Sequence, residues 1–401
     1  MRSSQTPNRP ARLVAAALIG GAALVAACGG GGGSGDSGTG SVRFHLTDAP
    51  ACGYDEVNVT VERVRVHRSA TAGVNDAGWS ELVLAPARRI DLLDLTNGVL
   101  EELGTLSLPA GSYTQVRLVL APNTGGSPLA NSVWPTGGSE QPLTTPSAQQ
   151  SGSKIQANFS VAANQVADLV LDFDACRSLV VAGNSGQILL KPVISATPVF
   201  AAAGNAIQGY VDASLVGATV SAQQGGVVRR STVPDATGRF VLSPLAVGSY
   251  DVVLGAQGRA TAVVTGVPVT ETARTTLSTT GAALPLAAAS APASVTGVVT
   301  RAGTTAIPDA TVHAVQRLTG GPDVEIGARQ VDLVGAYSLS LPVAAPGRAA
   351  YAASAPVTYT FVPDAPVAAR YRLEARAEGL TTQNADIDLT AGNLTRDFVF
   401  P

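Results

Sequence analysis

Short runs in which apolar and polar residues alternate constrain the fold of this chain more than any other feature. Val42, Phe44 and Leu46 share one parity, and valines occupy every second position of 57–61. Alternation with a period of two is typical of β-strands that bury one face. Aromatic residues make up 4% of the chain and charged residues 14%. Because Val, Ala, Thr, Gly and Ser dominate instead, we predict an all-β chain of tandem β-sandwich domains.

The alternation changes phase once early in the chain. After Val61 the next two valines, Val64 and Val66, have the opposite parity. A β-bulge adds one residue to one strand of a pair, so a bulge near Glu62-Arg63 would turn both valines back toward the interior. We therefore predict a bulge at this point.

Two stretches depart from the strand pattern. Residues 92–103 are rich in leucine, and we expect the only helix here, short and interrupted by Asn97-Gly98. Residues 123–153 are rich in Gly, Pro, Ser and Thr, and we expect them to form a long loop.

The N-terminal segment has the parts of a secretory signal peptide. Three arginines precede an apolar run, 13–27, which ends in small residues and is followed by Cys28 and five glycines. The alternative is an uncleaved membrane helix, for which the run is short. We predict a signal peptide over 1–27 and a flexible Gly/Ser tether over 28–40.

The sequence Val25-Ala26-Ala27-Cys28 resembles the cleavage site of bacterial envelope lipoproteins. The resemblance implies that Cys28 becomes the mature N-terminus and carries acyl chains, including palmitate, which anchor the protein in a membrane. Gly29 follows, in place of the aspartate that resembles an inner-membrane retention signal. We therefore expect an outer-membrane anchor, with the domains facing the periplasm or the cell surface.

Lipidation of Cys28 would leave two of the three cysteines, Cys52 and Cys176. Disulfides form and persist in an oxidising envelope compartment, so we predict a disulfide between these two. The alternative is a pair of separate buried thiols. The chain has no Cys-x-x-Cys motif, which disfavours redox chemistry.

Residues 41–197 contain an ordered series of short motifs. The motifs are Thr47-Asp48-Ala49-Pro50, Tyr54-Asp55-Glu56-Val57, Val64-Arg65-Val66-His67, Gly78-Trp79, Asp91-Leu92-Leu93-Asp94-Leu95, Leu108-Pro109-Ala110-Gly111-Ser112-Tyr113, Gln115-Val116-Arg117-Leu118, Asp172-Phe173-Asp174 and Leu190-Lys191-Pro192-Val193. Together they resemble the bacterial lipoprotein domain known as domain-of-unknown-function family 4382. No established activity comes with this resemblance, which implies only an envelope lipoprotein domain.

Two later segments, 204–281 and 293–401, repeat each other. Their shared order of Gly-x-Val, Ala-Thr-Val, a glycine turn before an aromatic residue, and Gly-x-Tyr resembles the carboxypeptidase regulatory-like domain, a small β-sandwich of the transthyretin or starch-binding type. The second copy is divergent and has an insertion over 344–364. The Ala/Pro-rich stretch 281–292 is predicted to be a linker.

The carbohydrate-binding-like fold that this resemblance implies raises the alternative of a sugar-binding protein. Sugar sites commonly need exposed aromatic rings, because the C–H face of a sugar packs on a ring. Core or turn packing is the competing interpretation for every aromatic residue. The candidate platforms are Trp79, Trp134, Tyr351, Tyr359 and Phe361.

Acidic residues of the first domain raise the question of a calcium site. Calcium takes six to eight oxygen ligands, which these carboxylates would approach only where their loops converge. The competing interpretation is a set of solvated strand faces and turns. The candidate ligands are Asp48, Asp55, Asp168, Asp172 and Asp174, and no other cofactor is predicted.

Catalytic and nucleic-acid-binding patterns are lacking in the sequence. There is no Gly-x-Ser-x-Gly elbow or HExxH motif, and the net charge of −3 includes no basic block. We therefore predict a non-enzymatic, lipid-anchored envelope protein that acts in binding, adhesion or scaffolding toward an envelope protein or glycan. A carbohydrate-binding lipoprotein is the first alternative, and an envelope hydrolase is the second.

Overall fold

A computed structural model describes most of the chain. Its regular structure is almost entirely β-strand, which confirms the all-β sandwich prediction, and three large hydrophobic cores define three sandwiches. In the part of the chain that the structure describes, no helix has the length and apolar character needed to cross a membrane. The described residues are 38–49, 53–145, 152–182, 186–199, 204–215, 217–285, 287–305, 307–353 and 358–401.

The first sandwich encloses its core between a four-stranded and an eight-stranded sheet. Its strands are β1 (Thr39–Ala49), β2 (Tyr54–His67), β3 (Ser80–Asp91), β4 (Glu101–Pro109), β5 (Gly111–Leu120), β6 (Ser132–Pro135), β7 (Gln141–Thr144), β8 (Ser153–Val161), β9 (Val166–Asp174), β10 (Leu179–Ala182), β11 (Gln187–Leu190) and β12 (Ile194–Val199). The smaller sheet has the order β12-β9-β1-β4, and in the larger sheet β3 and β5 both flank β2. A single-turn helix, α1 (Ala175–Ser178), follows β9.

The predicted bulge in β2 is confirmed. Pairing of β2 with both β3 and β5 shifts register between Val61 and Arg63. Val61 and Val64 are consequently both buried in the core of the first sandwich, although their sequence parity differs. The extra residue changes which side chains of β2 point into the core, so the valines before and after the bulge are both buried.

For the first sandwich, the helix prediction is confirmed only in part and the long-loop prediction is wrong. The 92–103 stretch forms only one 3-10 turn, Leu92–Leu95, because Asn97 and Gly98 adopt positive φ angles of 57° and 79° and end it before β4 begins. The 123–153 stretch is no single loop, because β6 pairs with the first half of β2 and β7 pairs with β6. Both short strands enlarge the eight-stranded sheet.

The second sandwich packs a three-stranded sheet, β16-β13-β19, against a six-stranded sheet. The strands of this region are β13 (Ile207–Tyr210), β14 (Thr219–Gln224), β15 (Val227–Thr232), β16 (Arg239–Leu242), β17 (Gly248–Gly255), β18 (Ala262–Val269) and β19 (Thr275–Thr276). The stretch 281–292 was predicted to be a linker, but Leu284 is buried in this core and bridges to Val211. Its apolar side chains attach it to the second sandwich.

The third sandwich has two sheets packed against each other. One has the order β23-β20-β28, with β29 also paired to β20, and the other has the order β22-β21-β26-β27. Its strands are β20 (Pro292–Arg301), β21 (Ala310–Arg317), β22 (Asp323–Gln330), β23 (Ala336–Pro342), β24 (Gly347–Ala350), β25 (Val362–Pro363), β26 (Arg370–Ala377), β27 (Gln383–Asp388), β28 (Leu394–Thr395) and β29 (Phe398–Phe400). Of these, β24 and β25 leave the third sandwich and complete the six-stranded sheet of the second, in the order β15-β14-β17-β18-β24-β25.

The repeat seen in the sequence has a structural counterpart. Gly209 in β13 pairs with Phe240, and Gly297 in β20 pairs with Tyr337. A Cβ atom would lie 2.7 Å from the Phe240 ring at the first position. At the second it would lie 2.9 Å from the Tyr337 ring and 1.9 Å from the Arg396 carbonyl oxygen. Each glycine therefore makes room for an aromatic ring that crosses its strand.

Candidate functional site at the junction of the three sandwiches

Charged side chains from all three sandwiches meet beside β9. The apolar residues of β9 enter the core of the first sandwich, which leaves Asp172 and Asp174 on the opposite side. Asp172 is only 7% exposed, and its Oδ1 lies 2.6 Å from Nη1 of Arg230 on β15. The competing interpretation of this face as solvated is therefore wrong for Asp172, because the second sandwich covers it.

Asp174 connects the junction to the third sandwich. Its carboxylate accepts a hydrogen bond of 3.0 Å from the backbone N–H of Arg177 and so caps α1. The Arg177 guanidinium lies 3.3 Å from Glu325 on β22 and 3.4 Å from Nδ1 of His313 on β21. Glu325 and His313 are 2.8 Å apart. One arginine of the first sandwich therefore reaches a carboxylate–histidine pair of the third.

Burial dominates the electrostatics of this cluster. It raises the pKa of Asp174 to about 6, against the opposing effect of Arg177. Burial likewise raises the pKa of Asp172 and lowers that of His313. Burial would also raise the pKa of Glu325, but Arg177 and His313 outweigh it, so that pKa is lowered. These directions keep Glu325 ionised and His313 neutral near pH 7.

A cavity of about 250 Å³ lies within the junction. Asp174 and Arg177 line it from the first sandwich, Ser221 and Ser231 from the second, and Glu325 from the third. Its walls offer hydrogen-bond donors and acceptors at a place where three domains meet. The arrangement suits polar cross-linking of the domains, because every one of the three contributes charged or hydroxyl groups.

The predicted calcium ligands are not brought together as one set. Asp48 accepts a hydrogen bond of 3.1 Å from the Ala175 N–H. Asp55, on β2 in the larger sheet, accepts one of 2.8 Å from the Thr136 hydroxyl. Asp168 binds Arg43 at 2.6 Å and His45 at 2.9 Å, separately from the Asp172–Arg230 pair. Among the described residues, no three His, Cys, Asp or Glu side chains are grouped so as to hold a metal ion.

The two tryptophans occupy different settings in the first sandwich, since Trp79 immediately precedes β3 and Trp134 lies within β6. The guanidinium carbons of Arg65 and Arg117 lie 4.6 and 5.3 Å from the Trp79 ring centroid, and the Trp79 indole donates to the Gly73 carbonyl. Trp79 therefore makes cation–π contacts with two arginine side chains. Trp134 lies in β6 and pairs with Glu56 of β2, where its ring is partly exposed.

The aromatic residues of the 344–364 insertion do not form an exposed platform. Tyr359 is only 5% exposed and belongs to the core of the second sandwich. Tyr351 and Phe361 are partly buried against the same core. The expectation that Tyr359 faces solvent is wrong, because β24 pairs with β18 and β25 with β24, which attaches the insertion to the edge of the second sandwich.

The predicted lipid site and disulfide lie largely outside the described residues, since Cys28, Cys52 and the Cys176 side chain are not among them. The strands that lead to the paired cysteines are nevertheless neighbours. β1 and β9 run parallel in register, with Ala49 opposite Asp174. Cys52 and Cys176 follow these two partners by three and two residues. The pairing stays a prediction that this register favours.

Sequence reasoning missed three residues of the junction, Arg177, Arg230 and Glu325. A usable signal exists for Arg230, which has the same parity in β15 as Thr232, a buried residue. A charged residue at an inward position of a strand indicates a buried ion pair. His313 is the one histidine of the third sandwich in the sequence, and the hairpin of β21 and β22 brings Glu325 beside it.

Two family models match the chain. Residues 39–192 match the domain of unknown function (DUF4382), and residues 206–281 match the carboxypeptidase regulatory-like domain. The chain therefore has these two domain types in the predicted order. The description of the first family names no function, and that of the second names a domain similar to a regulatory domain of carboxypeptidases. No curated protein matches the chain.

Solved structures give alignments of low similarity. A chain of a type II Cohesin-X-Dockerin complex from Acetivibrio cellulolyticus is 26% identical over 21% of this chain and 57% of its own length, with a TM-score of 0.18. The major pilin SpaA of Corynebacterium diphtheriae is 12% identical over 90% of this chain and 99% of its own, with a TM-score of 0.20. A Streptococcal ancillary pilin is 10% identical over 90% and 99%, with a TM-score of 0.18. At these TM-scores the alignments support no inference about function.

Proposed function

We propose that this chain is a non-enzymatic, lipid-anchored scaffold of the bacterial cell envelope, in which three sandwiches act as one rigid arm. The observation that carries the proposal is the pairing of β24 with β18. The four residues 347–350, which lie between strands of the third sandwich in the sequence, pair in parallel with residues 262–265 of the second sandwich. A backbone ladder resists bending far better than a flexible linker, because several hydrogen bonds must break together.

Contacts between the first sandwich and the other two support the same conclusion. The Asp172–Arg230 ion pair is almost fully removed from solvent. Asn97, in the turn before β4, donates its backbone N–H to the Thr232 hydroxyl at 3.0 Å. Lys191 donates to the Val331 carbonyl of the third sandwich at 2.8 Å. Every pair of sandwiches is therefore joined by specific polar contacts or strand pairing.

Rigidity of this kind suits a protein that holds a partner at a fixed position relative to a membrane. Acyl chains on Cys28 would supply the anchor. The Gly/Ser segment before β1 would allow about 20 Å of reach, and it is shorter than the predicted tether because residues 39 and 40 already pair with β4. The arm would present its surfaces to an envelope protein or glycan from the outer membrane.

Cooperative unfolding tests the rigid-arm part of the proposal. The full chain should lose its three sandwiches in one transition when denaturant unfolding is followed by intrinsic fluorescence and by circular dichroism. Two or three separated transitions would show that the sandwiches unfold independently, and the rigid-arm proposal would then fail.

Cell fractionation tests the anchor. Wild-type protein should partition with outer membranes and incorporate a palmitate analogue, and a Cys28→Ala variant should do neither. Membrane fractionation that persists in Cys28→Ala would contradict the lipid anchor. A glycan array distinguishes the alternative function, since saturable binding lost in Trp134→Ala would favour carbohydrate recognition.

A further inference from the structure

The outer face of the sheet β22-β21-β26-β27 has an unusual density of charge. Residues of one parity, including Val312 and Leu373, point into the core of the third sandwich. Residues of the other parity form rows of charged side chains across the strands. These are Arg317, Asp323, Glu325, Arg370, Arg372, Glu374, Arg376, Asp386 and Asp388.

One end of this face already binds a charged group from outside the sheet. Glu325 and His313 receive Arg177 of the first sandwich at 3.3 and 3.4 Å. At the other end, among the residues that the structure describes, the second sandwich contacts only the margin of the face, through Gly226 beside Asp323 and through Val253 and Val263 packed near Val367. There, Arg317, Arg370 and Arg372 line a cavity of about 380 Å³, whose wall also includes Ile387 and Asp388.

The three arginines of this cavity are loosely paired. Arg370 lies 3.4 Å from Asp388, Arg317 lies 3.6 Å from Asp323, and Arg372 lies 3.7 Å from Glu374. Three arginines of the first sandwich make much shorter contacts, whereas Arg63 lies 3.6 Å from Glu62 and 3.7 Å from Glu81. Arg43–Asp168, Arg65–Glu81 and Arg88–Glu101 measure 2.6, 2.7 and 2.7 Å.

Hydrogen-bonding capacity remains unused at this end of the sheet. The Arg372 Nε–H is buried and has no acceptor among the described residues. The Asp388 carboxylate accepts a hydrogen bond of 2.9 Å from the Thr390 N–H, which draws it toward its own turn. A guanidinium presents five N–H donors in a plane, so three of them around one cavity can surround a tetrahedral oxyanion.

A carboxylate completes the arrangement. Asp386 lies directly across the β26–β27 pair from Arg372 and lines the same cavity. No cationic side chain of the described residues forms a salt bridge with it. An anion alone would be repelled by Asp386, whereas a ligand with an adjoining ammonium would satisfy it.

We propose that Arg317, Arg370 and Arg372, with Asp386, bind a phosphate group that has a neighbouring ammonium, as in phosphoethanolamine. The guanidiniums hold the phosphate oxygens and the Asp386 carboxylate holds the ammonium. The ligand can be a free phosphoethanolamine or the headgroup of a lipid, since both present the same chemistry. The site is independent of the anchor at Cys28 and of the rigid-arm proposal.

Titration of the purified full chain tests the site. O-phosphoethanolamine should bind saturably in calorimetry, and Arg372→Ala should weaken binding by at least about tenfold. Arg317→Ala, at a more exposed position, serves if Arg372→Ala does not fold. Arg301→Ala, an exposed arginine of the same sandwich outside the cavity, should leave binding unchanged.

Two further arms assign the parts of the ligand and its source. Asp386→Asn should weaken binding of O-phosphoethanolamine and leave that of inorganic phosphate unchanged or stronger. Vesicles of phosphatidylethanolamine that bind wild type but not Arg372→Ala would identify a lipid headgroup. The proposal fails if neither O-phosphoethanolamine nor these vesicles bind, or if the arginine variants bind as wild type does.

Discussion

Gln223 of the second sandwich and Glu325 of the third are joined by two hydrogen bonds. The Gln223 amide donates to the Glu325 carbonyl at 2.8 Å, and the Glu325 N–H donates to the Gln223 amide oxygen at 2.7 Å. A side-chain amide thus takes the place of a peptide group in a neighbouring strand. It satisfies both backbone groups of a residue in β22, an edge strand that is covered here by another domain.

Replacement of Gln223 should therefore cost more than the loss of a surface side chain. Gln223→Ala leaves a buried N–H and a buried C=O without partners, which should lower the free energy of unfolding by about 1–3 kcal/mol. Gln224→Ala, in the same strand, should change it by less than about 0.5 kcal/mol. Denaturant titration measures both. Equal effects of the two changes would mean that water replaces the Gln223 amide without loss.

The buried ion pair between Asp172 and Arg230 predicts a strong asymmetry between single and double variants. Arg230→Ala leaves a buried carboxylate without its cation and should cost about 3–5 kcal/mol. The double variant Asp172→Leu with Arg230→Met should recover most of this loss, because two apolar side chains replace two charges. Arg230→Ala that unfolds like wild type would show that the pair contributes nothing at this interface.

Asp174 should make the stability of the chain depend on pH. Burial raises its pKa to about 6 in the folded chain, so the folded state binds more protons than the unfolded state between roughly pH 4 and 6. This stabilising contribution is complete below that range and is lost as the pH rises through 6. Asp174→Asn keeps the oxygen that caps α1 and should raise the free energy of unfolding at pH 7.5 by about 1–3 kcal/mol.

The same variant should have little effect at pH 4, where Asp174 of the wild type is protonated. Asp309→Asn, at an exposed carboxylate, should change stability by less than about 0.5 kcal/mol at both pH values. Unfolding curves of wild type and Asp174→Asn that run parallel from pH 4 to 7.5 would show that Asp174 titrates as an ordinary aspartate.

Tyr359 should matter to a sandwich other than the one that follows it in the chain. Tyr359→Ala removes a ring from the core of the second sandwich and should cost about 2–4 kcal/mol. Hydrogen exchange of amides in β18 should accelerate, because β24 is held by the same insertion. Val362→Ala, at a side chain that is 64% exposed, is the matched control. Acceleration confined to β26 and β27 would contradict this assignment.

The register of β1 with β9 supports a disulfide between Cys52 and Cys176. Peptide mapping without reduction should recover the two cysteines in one linked pair. Cys176→Ser should then lower the free energy of unfolding by about 2–4 kcal/mol, since the link restricts a long loop in the unfolded chain. Detection of two free thiols by mass spectrometry would contradict the disulfide.

Much of the fold could be predicted because strand periodicity is local. The reversal of parity between Val61 and Val64 is visible in the sequence and requires a bulge, which β2 has. Residues 92–103 are helical only over Leu92–Leu95, because β4 begins at Glu101 and pairs with β1, a partner distant in sequence. Pairing of β6 with β2 could not be predicted, because it depends on contacts far apart in sequence.

The candidate site was harder to predict because it depends on domain packing. Asp172 and Asp174 alternate with apolar residues as a solvated strand face would. What buries them is Arg230, 58 positions after Asp172, and the hairpin that contains Glu325. Periodicity separates the two faces of a strand, but it does not reveal that a second domain covers the polar face.

The pairing of β24 with β18 of the second sandwich also sets an order of events during synthesis. β18 ends at Val269 and its partner begins at Gly347, about 80 residues later. At 5–20 residues per second, roughly 4–16 s pass before that partner exists. Throughout this interval the nascent second sandwich has an unpaired, valine-rich edge, which is a template for wrong pairing. A chaperone that binds extended segments would find its substrate in that window.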